Sequence, residues 1–355
     1  MIMKQNDYLD DAVALLRRLI ATPSVSRDEA AAATVVEDTL RGYGFEPRRK
    51  GNNVWAVNRQ YDSGKPTLLL NAHVDTVKPV ASWTRDPFSP YLSEGRLYGL
   101  GSNDCGGGLV ALMQAFRHLS QTGQPYNTVY LASAEEEVSG QNGICLALPL
   151  LPKIDMAIVG EPTGMQPAVA EKGLMVVDAV AHGRSGHAAR GEGVNAIYTA
   201  LDDIAWLRSY KFDKASSLLG PTLMTVTIIN AGTQHNVVPD ECRFTIDIRT
   251  NEHYRNEEVF NFLKTKMKSE IKARSFRLSS SGVPMDNPIV RRCTQMGMTP
   301  FGSPTLSDQA LMPFPSLKLG PGESARSHSA DEYIRISEID DAITTYIRLL
   351  DGVEL

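Results

Sequence analysis

Histidines and carboxylates gather at the ends of apolar runs in this chain, and that placement is the chemistry to explain. TLLLNAHVD closes on His73 and Asp75, TVYLASAEEE on Glu135, Glu136 and Glu137, and DMAIVGE on Glu161. YGLGSND delivers Asp104 just before a glycine-rich stretch, and the run SLKLGPG is followed by His328. In open α/β sheets ligands bind outside the carboxyl ends of the strands. A single H-x-D or strand-end acid is commonplace, but five such ends in one sheet point to a cation. Imidazole and carboxylate donors without thiolate suit Zn²⁺ in an open catalytic site, with Co²⁺ or Mn²⁺ as substitutes. The candidate ligands exceed one tetrahedral shell, and two ions roughly 3.5–4 Å apart would use them all. A leftover carboxylate can then serve as general base. Spacing alone does not decide whether the pair 135/136 or 136/137 does this work.

The elements that must hold these residues follow from periodicity. Residues 7–21 have the apolar spacing of a helix, and SRDE at 26–29 reads as a capping box opening a second helix through about Tyr43. The runs at 67–75, 128–134 and 155–161 are apolar throughout, as strands buried on both faces are. Alternating with helices such as GGGLVALMQAFRHL, they imply a mostly parallel sheet flanked by helices. From about residue 174 the pattern changes to β-α-β-β-α-β, a split βαβ, ferredoxin-like arrangement. Its second helix is expected over 256–273 and its last strand at SFRLSSS. The expected division is residues 1–173 and 284–355 for the metal-binding domain and 174–283 for an inserted one. SEIDDAITTYIRLL then forms a C-terminal helix.

Composition narrows the classes further. With 355 residues, net charge -5 and no block of Lys or Arg, there is no electrostatic case for nucleic acid. No apolar run reaches membrane-spanning length, and the N-terminal pattern, broken by Asp and Arg, does not read as a signal peptide. Cys105, Cys145, Cys242 and Cys293 lack any C-x-x-C and read as reduced thiols of a cytoplasmic protein; Cys105 stands out because it follows a candidate ligand.

The ordered set NAHVDTV, YGLGSNDCGGG, AEEEVSGQNG, VGEPT, GRSGHAA and GPGESARSHSADEY resembles the dinuclear-zinc deacylase and exopeptidase family, over essentially the whole chain. That family includes acetylornithine deacetylase and succinyl-diaminopimelate desuccinylase. The resemblance implies a zinc-exopeptidase-like catalytic domain with an inserted lid and dimerisation domain. It implies one or two Zn²⁺ per subunit, held by His73, Asp104 as the bridge, Glu137, Glu161 and His328. It also fixes the register: Glu136 is the general base and Glu135 lies outside the direct chemistry. Asp75 would orient His73, and His187 would reach a neighbouring subunit's site to stabilise the oxyanion. Asn236 and Arg249 would hold the substrate's α-carboxylate. The implied activity is deacylation of a small N-acyl amino acid, foremost N-acetyl- or N-succinylornithine in arginine biosynthesis. Deacylation of succinyl-diaminopimelate or an acyl-lysine, and carboxypeptidase or dipeptidase activity, are the alternatives. Two positions depart from the pattern: Gly106 stands where the family often has Lys, and LSDQALM lacks the Arg of the desuccinylase SDGR. Of the remaining histidines, His118, His182 and His253 have bland settings, and His235 adjoins Asn236.

Overall fold

The computed structural model describes residues 5–355 and separates into two compact units. The first comprises residues up to 169 together with 283–301 and 307–355; the second comprises 170–282 and 302–306.

The first unit contains α1 (Gln5–Ile20), α2 (Ala30–Gly42), β1 (Arg48–Lys50), β2 (Asn53–Val57), β3 (Thr67–His73), α3 (Gly107–Leu119), β4 (Asn127–Ser133), β5 (Met156–Val159), α4 (Pro288–Gln295), β6 (Ser316–Lys318) and α5 (Ile336–Leu350). Its sheet runs β1-β2-β4-β3-β5-β6, with β4, β3, β5 and β6 mutually parallel. Both faces are covered, which explains the unbroken apolar runs. Leu68, Leu70 and Ala72 pack with Leu16, Val36, Phe116 and Tyr346, whereas Leu69 and Leu131 pack on the opposite side with Ile144 and Met312.

Register levels the strand ends. His73 lies opposite Ser133, and Asn71 lies opposite Val159, so Glu161 emerges about level with His73. Among the described residues no helix is long and apolar enough to cross a membrane.

The second unit is a four-stranded antiparallel sheet in the order 223–231, 241–249, 175–182, 270–273. This is the split βαβ arrangement. Val177, Ala179, Phe244 and Ile246 bury one face of the sheet with Ala200, Leu207 and Leu263 of the helices Ala196–Ser209 and Asn256–Lys266. The strand Leu223–Ala231 is an edge, and Leu223, Ile228 and Ile229 on it are exposed.

One element differs from its sequence pattern. The helix expected over 256–273 stops at Lys266, and the last strand is Glu270–Ala273, not SFRLSSS. Met267 is already extended, with ψ 142°. The turn is held by Asp203 on the other helix. Its buried carboxylate accepts Lys268 N–H at 3.0 Å, and Ser269 N–H at 2.8 Å and O–H at 2.6 Å. A distant side chain thus overrides helix-forming local sequence.

Asp203→Ala should lower unfolding stability by about 2 kcal/mol, because three donors lose a charged acceptor. Asp202→Ala removes only an exposed pairing with Lys268 and should leave the urea midpoint nearly unchanged. Equal effects of the two substitutions in urea denaturation would remove the assigned role.

Candidate metal centre

His73, the last residue of β3, is almost fully buried. Its Nε2 lies 3.2 Å from Asp104 Oδ1 and 3.6 Å from Glu161 Oε1. On the other side of Asp104, Oδ2 is 3.6 Å from His328 Nε2, which itself stands 2.9 Å from Glu137 Oε2. The two oxygens of Asp104 therefore face two separate imidazoles, as a bridging carboxylate must. Ligand atoms about 2.0–2.1 Å from one tetrahedral ion stand roughly 3.3 Å apart, so these spacings fit shared cations. A second observation agrees: Glu161 Oε1 is buried and has no hydrogen-bond partner. An orphaned buried acceptor is costly unless something satisfies it, and a cation beside His73 would.

Cys105 Sγ also lies within reach of His73 and Glu161. Its sulfur is engaged elsewhere, accepting the His73 N–H at 3.1 Å and facing the His73 carbonyl at 3.4 Å. Burial also pushes its thiol far up, away from the thiolate a metal requires. The carboxylate set is the better ligand group. None of the four cysteines forms a disulfide.

The glutamate run divides its labour through the main chain. Asp75 Oδ1 accepts Glu136 N–H at 3.0 Å, and Oδ2 accepts Glu137 N–H at 3.2 Å and the Ser26 hydroxyl at 2.7 Å. The expected capping box at 26–29 is therefore absent. Helix α2 begins at Ala30 with no side-chain cap, because Ser26 serves Asp75 and Glu29 serves the loop. Glu29 accepts Glu135 N–H at 3.3 Å and the Asn52 side-chain amide at 2.9 Å. Glu135 has φ +52° and turns its carboxylate back onto Asn142 N–H and Nδ2. A Cβ on Gly140 would lie 1.8 Å from Glu135 Oε2, so this turn needs glycine there. Glu29 and Asn142 were not legible as site residues, since their partners are remote main-chain amides or lie in an irregular loop.

His73 finds its second partner in Asp75, but mainly in the main-chain carbonyl, 2.9 Å from Nδ1; the side-chain oxygen stands at 3.6 Å. At Gly106, where the family often has Lys, a Cβ would meet the Gly101 carbonyl at 2.4 Å and Leu16 at 2.6 Å, so packing leaves no room for a side chain.

Electrostatics follow from crowding acids in a buried space. Burial, then the neighbouring Glu161 charge, raises Glu136 well above the ordinary carboxyl range. Burial pushes Glu161 up to about 8 despite the opposing effect of His73. The hydrogen bond to Glu137 raises His328 to about 9. For His73, burial works against the charged form, but Cys105 and Asp104 outweigh it and raise the group well above its ordinary value.

In the second unit, Gly186–His187 forms a two-stranded ribbon with Val237–Val238. His187 Nδ1 accepts Ala189 N–H at 3.2 Å, which leaves Nε2 of the neutral ring as the donor. Ala188 N–H donates to the Asn236 carbonyl at 3.1 Å. Arg249 spends its guanidinium fork on Asp247, at 2.8 and 3.1 Å. His235 lines a shallow surface cleft with Ala188 and Val237. His118 contacts Tyr8, His182 contacts Glu270, and His253 contacts Glu252.

Metal uptake should release protons, because at pH 7 Glu161 and His328 hold protons that a cation must displace. Apparent affinity should climb from about pH 6 to about pH 9, as protonated ligands compete less. Calorimetric titration of the metal-free chain in two buffers of different ionisation heat reads the released protons directly. Identical heats in both would contradict this account.

The profile of peptidase family M20/M25/M40 matches residues 69–352. An acetylornithine deacetylase of Proteus mirabilis (strain HI4320) is 29% identical over 367 residues, covering 94% of this chain and 95% of the relative. A succinyl-diaminopimelate desuccinylase of Paracoccus denitrificans (strain Pd 1222) is 31% identical over 277 residues, covering 73% and 72%. The aminopeptidase PepT structure from Bacillus cereus ATCC 10987 superposes with TM-score 0.77 at 19% identity over 99% of each chain. The YXEP protein of Bacillus subtilis, described as a dinuclear metal binding peptidase, gives TM-score 0.74 at 15% identity over 97% of this chain and 98% of its own. At those identities the structural likenesses bear on the fold alone. The cluster of candidate ligands at the strand ends and the profile lead to one conclusion: this chain is a metal-dependent hydrolase belonging to peptidase family M20/M25/M40.

Proposed function

We propose that the chain hydrolyses the amide of a small N-acyl amino acid at a two-metal centre, with N-acetyl- or N-succinylornithine as the leading substrates. The observation that carries the proposal is Asp104 facing two imidazoles, with the half-buried Glu136 near enough to feel the charges of Glu161 and His73. The full-length likeness to an acetylornithine deacetylase supports the ornithine substrate. Succinyl-diaminopimelate is the second reading, favoured by the 31% identical relative.

His73, Asp104 and Glu161 would hold one Zn²⁺, and Asp104, Glu137 and His328 the other; Co²⁺ has the same ligand preferences. When bound, such ions polarise the acyl carbonyl and acidify water. The remaining chemistry belongs to the chain. Glu136 takes a proton from water as its oxygen attacks the acyl carbon, and returns it to the amine nitrogen as the C–N bond breaks. A carboxyl raised by burial and by Glu161 is strong enough to take that proton and acid enough to give it back. Asp75 fixes the amides of both Glu136 and Glu137, so base and ligand move together. His187 Nε2–H is a donor suited to a developing oxyanion. Asn236 and Arg249 remain the proposed α-carboxylate contacts, Arg249 by exchanging Asp247 for the substrate.

Supply of His187 to a partner's site requires at least a homodimer through the second unit. The exposed apolar edge strand 223–231 and the neighbouring Tyr198 and Leu201 supply a surface for it. The setting is proposed to be cytoplasmic, in keeping with four cysteines none of which is in a disulfide.

Glu136→Gln should lower kcat by 10³-fold or more and keep the full metal complement, while Glu137→Gln should also weaken metal binding. The reverse pattern would move the register by one residue. His187→Ala should reduce kcat about 10²-fold without altering metal content; parallel metal loss would remove it from oxyanion duty. Assaying N-acetylornithine, N-succinylornithine, N-succinyl-diaminopimelate and simple dipeptides side by side tests the substrate. Dipeptides turned over fastest would overturn the deacylase reading.

A further inference from the structure

A second buried carboxylate stands behind the bridging aspartate and takes no part in the chemistry above. Glu332 is 2% exposed. Its Oε1 accepts the N–H groups of Asn103 at 2.7 Å and Asp104 at 2.9 Å, and Oε2 accepts that of Gly101 at 3.1 Å. Its main-chain carbonyl accepts Gly99 N–H at 3.0 Å, and the next residue, Tyr333, pairs with Tyr98. Segment 98–104 is thus fastened along its length to segment 332–333. Asn103 closes the other side, exchanging hydrogen bonds with the main chain of Glu323 and reaching the Ser327 hydroxyl. The loop bearing Asp104 and the loop bearing His328 are thereby tied to each other twice.

We propose that Glu332 is a positioning residue of the metal centre: a buried acceptor whose two oxygens set the main chain of Asp104 before any cation arrives. The inference rests on the dinuclear reading of the site. Asp104 presents both oxygens toward other acids and imidazoles, and repulsion from Glu161 and Glu137 would push its loop outward. Three convergent N–H groups need an acceptor with two free oxygens, since each buried amide left unpaired costs stability. A glutamine at 332 offers one oxygen and turns an N–H₂ donor toward amide donors. Loss of a group that orients a ligand typically costs 10- to 100-fold in metal affinity.

The test begins with the metal-free wild-type chain, by amide hydrogen exchange. The Asn103 and Asp104 amides should already be slow before metal is added; free exchange there that slows only with Co²⁺ would overturn the proposal. Next, Glu332→Gln should speed exchange at those amides and weaken Co²⁺ uptake, followed by its visible absorption, by roughly tenfold or more, with Glu332→Asp intermediate. Wild-type titration behaviour in Glu332→Gln would sink the idea. Should Glu332→Gln fail to fold, the wild-type exchange result decides alone. A wild-type chain that takes up no Co²⁺ removes the metal reading itself, and the proposal with it, whatever the exchange data say.

Discussion

Mutual repulsion among crowded, half-buried carboxylates is the constraint around which the first unit is built. Asp104, Glu136, Glu137 and Glu161 converge where β3, β4 and β5 end, in a partly enclosed space that screens them less than bulk water does. Two things keep the arrangement intact without a cation. Burial and like charge favour the protonated form at the most crowded groups, raising Glu136 and Glu161 above the ordinary carboxyl range. Main-chain amides are pinned by further acids, Asp75 under the glutamate run and Glu29 beside it. Attraction between carboxylates and amide N–H groups therefore offsets, residue by residue, the repulsion among their side chains.

This design explains why like charges stand together at 135–137. Only two of the three side chains, Glu136 and Glu137, are candidates for the metal centre. The left-handed conformation of Glu135 swings its carboxylate onto Asn142, and Gly140 makes the space for it. The run reads as three acids, but in space it is one loop brace followed by a candidate base and a candidate ligand.

The catalytic sheet was legible because burial on both faces leaves an unmistakable apolar run, and because parallel register puts every strand end at one edge. Of the candidate ligands, all five come together in the first unit. What sequence did not reveal were interactions whose acceptors are remote. S-x-x-E at 26–29 looked like a helix cap, yet both side chains are spent on strand-end loops some 49 and 106 residues away. The stop at Lys266 had the same origin, since Asp203 rather than any local breaker ends that helix. The family resemblance implied His328 as a ligand, but nothing in it said that Glu332, four residues on, faces the amides of Gly101, Asn103 and Asp104.

The edge strand 223–231 has a consequence beyond the chemistry. A nine-residue edge with large aliphatic side chains facing outward is a template for uncontrolled strand addition unless a defined partner covers it. The proposed homodimer would cover this edge, and a dissociated subunit would expose it. Colloidal behaviour would then depend on concentration, with the separated subunit the more vulnerable species.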